Sequence, residues 1–140
     1  MASPNKLCKI ILTISIPLLL LSCAKRDERV AAESIAARIH SQLQQNDFAA
    51  VYRESGSSFK QVGDREKFIA RMQQFIESNG ALLLATQVSY QTGFDSKAGN
   101  NHTLTFALKF ERGNATEKIV LTPNDQGQLS LWDLKITPVP

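Results

Sequence analysis

Leu104-Thr105-Phe106-Ala107-Leu108-Lys109-Phe110 is the stretch that decides the fold of this chain. Large apolar residues fall at every second position, with Thr105, Ala107 and Lys109 between them. Successive side chains of a β-strand point to opposite faces, so a period of two describes a strand with one buried face. On a helix the same four apolar residues would be spread around the circumference and would make no continuous stripe.

Outward from this strand the same period recurs. Val88, Tyr90, Thr92 and Phe94 alternate with Ser89, Gln91 and Gly93 inside a run from Leu82 to Phe94. A polar loop, Asp95 to Asn101, separates the two runs. Glu111-Arg112-Gly113-Asn114 forms a turn, and Thr116–Leu121 is a third strand. Pro123 to Gly127 is rich in turn formers, and Leu129–Thr137 is the last strand. Short turns between successive strands imply an antiparallel meander.

Upstream of Gly80 the period changes to that of a helix. Val30, Ile35, Ala36, Ile39 and Leu43 share one face of a helix from Val30 to about Gln45. Asp47 is placed to cap a short second helix carrying Phe48, Val51 and Tyr52, which Ser55-Gly56-Ser57-Ser58 breaks. Asp64 is placed to cap a third, whose stripe is Phe68, Ile69, Met72, Phe75 and Ile76. Gly80 suits the left-handed residue past its end. The expectation is an α+β domain over residues 30–138. Its N-terminal helices cover an antiparallel meander of about four strands.

The N-terminus reads as an export signal. Lys6 and Lys9 precede an apolar run from Ile10 to Leu21, which is short of the roughly 20 residues a spanning helix needs. The run ends in Leu20-Leu21-Ser22-Cys23, which resembles the lipobox of bacterial lipoproteins. That resemblance implies removal of residues 1–22 as a signal peptide and lipidation of Cys23. Residues 23–29 then form a lipidated, solvated tether. The only other cysteine, Cys8, lies in the removed segment, so a secreted Cys23 would be an unpaired thiol in an oxidising compartment. A diacylglycerol plus an N-acyl chain such as palmitate supplies the two anchors that stable attachment requires. The implied partner is a lipid bilayer, and the implied place is the bacterial cell envelope, facing the periplasm or exterior. Ala24, where enteric lipoproteins retained at the inner membrane carry Asp, tilts the expectation toward the outer membrane.

Without Lys6 and Lys9 the chain is almost neutral, and Lys25-Arg26-Asp27-Glu28-Arg29 is mixed in sign. A nucleic-acid partner, which needs a concentrated basic face, is not expected. The mature chain holds His40 and His102 but no Cys pair, His-x-x-x-His or Glu-x-x-His. No metal site or cofactor is expected. No nucleophile elbow or glycine-rich phosphate loop is present either.

Helices followed by a meander ending in Leu131-Trp132-Asp133-Leu134-Lys135-Ile136, with Asn46-Asp47-Phe48-Ala49-Ala50-Val51-Tyr52 in a short second helix, resembles the nuclear transport factor 2-like (cystatin-like) superfamily. The resemblance implies a cone-shaped pocket between sheet and long helix. Tyr52, Tyr90 and Trp132 are its candidate lining residues. No catalytic residue is assigned, and the expected role is non-catalytic: ligand binding or protein interaction, with homodimerisation through the sheet face as one form. One alternative is a small enzyme with an acid–base residue in the cone, drawn from Tyr52, Tyr90, Asp133 and His40. Another is a structural subunit of an envelope assembly. His40 is expected at the edge of its helix face, Asp133 on the solvent face and His102 in solvent. Trp132 is expected in the core first and the pocket second. The outer sheet face, with Thr103, Thr105, Lys109 and Glu111, is expected to be exposed or paired with a second copy.

Overall fold

The computed structural model describes residues 17–140, with side chains from residue 27 onward. The signal's n-region and the start of its apolar run lie outside the described residues, as does the side chain of Cys23. The order is α1 (Pro17–Gln44), α2 (Phe48–Glu54), α3 (Ser57–Val62), α4 (Arg65–Asn79), β1 (Leu82–Asp95), β2 (Gly99–Phe110), β3 (Asn114–Pro123) and β4 (Leu129–Val139). The strands make one antiparallel meander, β1-β2-β3-β4, and the helices pack on its concave face. The α+β architecture is therefore as the alternating periods require. Among the described residues no helix is long and apolar enough to cross a membrane.

The expected caps form. Asp47 Oδ1 accepts the Ala50 N–H at 3.0 Å, and Asp64 Oδ1 accepts the Glu66 N–H at 2.7 Å. Each satisfies an orphan donor of a helix start. Gly80 ends α4 at φ +80°, and its N–H donates to the Ile76 carbonyl.

The first helix runs further back than its apolar face predicts. Residues 24–29 hold no breaker, and Lys, Arg and Glu are good helix formers, so the helix continues where the apolar period stops. Val30 is consequently on the exposed side, and Ala32, Ala36, Ile39 and Leu43 form the core stripe. Between α2 and α4 the serine-rich segment ends α2 as expected but then forms α3, a fourth helix that the apolar spacing does not announce.

The β1–β2 connection is tighter than the polar composition of 95–101 suggests. Pairing continues to Asp95↔Gly99, which leaves a three-residue turn. Asp95 Oδ1 accepts the N–H groups of Lys97 and Ala98 there. Asn101 and His102 are thus strand residues paired with Gly93 and Thr92.

The concave face carries Leu82, Ala85 and Tyr90 of β1 and the whole even-numbered set Leu104 to Phe110 of β2. Ala115, Ile119 and Leu121 of β3 and Leu131 of β4 complete it. A register shift between Gln87 and Ser89 makes Val88 an extra residue, and Val88 is 66 % exposed instead of core-facing. The bulge passes the inward position to Gln87 and Tyr90.

Another shift sits in β4, where Leu131 pairs with Leu121 and Asp133 with Val120. Trp132 is the unpaired residue between them. It is half-buried and lies outside the core cluster, and Leu131 is the core residue at this place. The expected core position for Trp132 depends on strict alternation through it, which the bulge interrupts.

Candidate functional site

Two histidines, one from the long helix and one from the sheet, organise the polar chemistry under α1. His40 lies one turn after Ala36 on the same helical stripe, so packing the stripe carries it inward and leaves it 9 % exposed. It is buried, not at the edge of the face as expected. On β3, Glu117 occupies the inward position between Ala115 and Ile119, opposite Phe106 on one side and Ile136 on the other. It is 0 % exposed.

His40 Nε2 and Glu117 Oε2 are 2.5 Å apart. The imidazole also packs against the Phe106 ring in a T-shaped arrangement, with centroids 4.5 Å apart and planes at 83°. A buried carboxylate is tolerated only with a partner, and His40 is the partner that the packing supplies. Glu117 Oε1 has no hydrogen-bond partner among the described residues. Half of the carboxylate is therefore satisfied by His40 and half by none of the described residues.

The second group lies nearer the start of α1. Tyr90 Oη and His102 Nδ1 are hydrogen-bonded at 2.7 Å, and Glu28 Oε2 stands 3.9 Å from His102 Nε2. The Arg29 guanidinium lies over the Tyr90 ring, 5.2 Å from its centroid. Arg29 Nε also donates to Glu33 Oε1 at 2.8 Å, and that oxygen accepts from Gln87 Nε2 at 3.2 Å. Hydrogen bonds from Arg29 and Gln87 hold the Glu33 carboxyl below the ordinary glutamate range. Burial raises the Tyr90 phenol, and the Glu28 carboxylate adds to that. His102 is buried, not solvated as the expected loop implies. Glu28 and Arg29 touch the sheet, so the last residues of the expected tether are part of the domain surface.

The three candidate lining residues do not meet in one place. Tyr52 packs with Phe59 and Phe68, and its hydroxyl donates to the Gly63 carbonyl at 2.8 Å, tying α2 to the end of α3. Tyr90 belongs to the His102 group, and Trp132 to the β4 bulge. Asp133 is half-buried, opposite Val120. The cavity between α1, α2 and the start of β4 is lined by Ile39, Arg38, Val51, Glu54 and Leu131, with a volume of about 20 Å³. That is room for about one water. Arg38 and Glu54 pair across its rim at 3.0 Å.

Among the described residues, no helix covers the convex face of the sheet. Thr86, Ala107, Lys109, Thr116, Lys118, Lys135 and Thr137 are exposed there, and Thr103 and Thr105 are partly so. Lys118 stands directly opposite Lys135. Glu111 does not join this surface, since its carboxylate accepts the Ala81 N–H at the α4–β1 junction.

Sequence reasoning missed Glu117 and the lysine pair. The signal for Glu117 was a charged residue at an inward position of Ala115-Thr116-Glu117-Lys118-Ile119. The lysine pair has no local signal, because its members are 17 residues apart and meet only through the register. Among the described residues, no three metal-binding side chains converge. A scan against protein-family models and a search of the curated proteins both found no match.

Proposed function

We propose that this chain is a lipid-anchored, non-catalytic protein of the bacterial cell envelope, and that its domain acts through protein contact at the convex sheet face. The lipobox supports the anchor, and the helices-then-meander order is consistent with a nuclear transport factor 2-like domain. The observation that carries the interaction reading is the uncovered face with Lys118 against Lys135. Like charges directly opposite on a sheet are unfavourable, and a partner bearing carboxylates would relieve them. The same lysines disfavour a two-fold homodimer, because a self-complementary interface would bring them toward their own copies. Ligand binding is less favoured, since the cavity between α1, α2 and the start of β4 has room for about one water.

The test is site-specific photo-crosslinking in cells from Thr116 and Thr137, the neighbouring cross-strand pair on the same face, and from Val62 on α3 as a control. Discrete adducts from the two sheet positions, lost in Lys118→Glu/Lys135→Glu, are expected. Adducts of twice the chain mass would instead identify a homodimer. No adduct from the sheet would overturn the interaction reading. The anchor is tested separately by the intact mass of membrane-extracted protein beside Cys23→Ser.

A second reading has its own observation. His40 and Glu117 form a buried acid–base pair with one carboxylate oxygen unsatisfied among the described residues, and a carboxylate and an imidazole held together in this way can also serve as general acid and base. It requires that small molecules reach Glu117. Rapid modification of Glu117 by a carbodiimide in the folded protein would support it, and protection until global unfolding would remove it.

A further inference from the structure

The β1–β2 hairpin tip carries a feature that the domain's packing does not use. Phe94 is 78 % exposed, the most exposed aromatic ring among the large apolar residues left outside the core. From Tyr90 onward β1 pairs with β2 without a shift, so Phe94 faces the same way as Tyr90 and Thr92, toward the side of the sheet that α1 occupies. It projects from the end of the hairpin beside exposed Lys97 and Asp95.

The position of this ring relative to α1 follows from one contact. Arg29 lies over Tyr90, and one turn later Glu33 bonds Gln87, three residues earlier in β1. Moving toward the start of α1 is therefore moving toward the tip of the hairpin. The Cys23 backbone is six residues before Arg29 within α1, a rise of about 9 Å. Phe94 is four residues beyond Tyr90, roughly 13 Å along the strand. Both leave the same contact in the same sense and reach the same corner of the domain.

We propose that this tip is a second membrane contact: the Phe94 ring lies in the headgroup region of the bilayer that holds the Cys23 lipid, with Lys97 at the phosphates. The inference rests on lipidation of Cys23. A phenylalanine ring buries its apolar surface at the boundary between headgroups and acyl chains, as Phe, Trp and Leu do on interfacial elements, while a lysine beside it reaches the phosphates. The lipid holds the corner at the surface, so the ring needs no affinity of its own to arrive there. Its effect is to fix the orientation of the domain and turn the convex face away from the bilayer edge, where a partner can reach it.

The test uses the full lipidated chain in phosphatidylglycerol/phosphatidylethanolamine vesicles, with Phe94→Trp in a Trp132→Phe background. Val62→Trp in the same background serves as the control, on α3 against the opposite edge strand. Emission from the Phe94→Trp protein is expected to shift to the blue and to fall when brominated lipids replace the ordinary ones. Emission from the Val62→Trp protein is expected to do neither. If Trp132→Phe fails to fold, the difference between Phe94→Trp and wild-type spectra gives the same reading. A water-like, unquenched signal from the Phe94→Trp indole, on chains whose mass shows the lipid, overturns the tip contact and leaves the anchor intact. Equal quenching at both positions also overturns it, since no corner is then preferred. Chains without lipid on Cys23 overturn the anchor and this inference together.

Discussion

His40 of α1 and Glu117 of β3 are 77 positions apart in the chain and meet 2.5 Å apart beneath the long helix. The contact pins the helix to the centre of the sheet, because Glu117 stands on an inner strand between Phe106 and Ile136.

Removing one partner of this pair is expected to be far worse than removing both. His40→Leu leaves a buried carboxylate without its partner and is predicted to cost about 3–5 kcal/mol. Glu117→Leu removes the charge, and the double variant His40→Leu/Glu117→Leu should regain most of the loss, since apolar replacement of a buried pair is often neutral. Urea unfolding of the four proteins in a double-mutant cycle measures this. Additive losses would mean that the two groups do not depend on one another.

Gly80→Ala is predicted to destabilise by about 1–3 kcal/mol, because φ +80° with ψ −173° is a region open almost only to glycine. An added Cβ would also stand 2.7 Å from the Cβ of Glu111. Gly99→Ala, at φ +70° with open space around it, should cost less. Thermal midpoints of the two variants compare strain plus clash with strain alone.

The link from Glu33 to Arg29 and Gln87 should appear as an acid-labile component of stability. A carboxyl whose folded value is lowered contributes above its unfolded value, near pH 4.3, and loses that contribution as pH falls through the folded value. This contribution should therefore be constant above about pH 5 and fade below it, so wild-type urea midpoints should decline in that acid range. Glu33→Gln should show a shallower decline over the same range. Matching slopes would show that the Arg29 and Gln87 bonds do not persist in solution.

Asp64→Ala is predicted to lower stability by about 1 kcal/mol, since the Glu66 and Lys67 N–H groups lose their acceptor. Asp64→Asn should retain most of the cap. Faster amide exchange at Glu66 in the alanine variant alone would identify the cap as the cause.

Residues with a local physical reason were legible from the chain. Asp47 and Asp64 cap because their carboxylates reach N–H groups two or three residues on. The β2 stripe is buried because every second residue is apolar. Val88, Trp132 and His102 depart from their expected places for one kind of reason. A bulge or a tighter turn changes which face a residue takes, and neither leaves a mark in the local pattern. Of the three candidate pocket residues, Tyr90 alone has become part of a polar cluster, and its partners come from α1 and β2.

The sequence by itself determined the order of the strands and of every helix but α3, the caps, the meander and the apolar stripe that builds the core, because each depends on residues within about one turn or one hairpin. Only the tertiary structure decided what those stripes enclose. Glu117 became a buried partner of His40, Glu28 and Arg29 became part of the domain, and Lys118 came to face Lys135. Each of these is a meeting of distant residues through packing or strand register, and such meetings are set by how whole faces fit together, which no local spacing encodes.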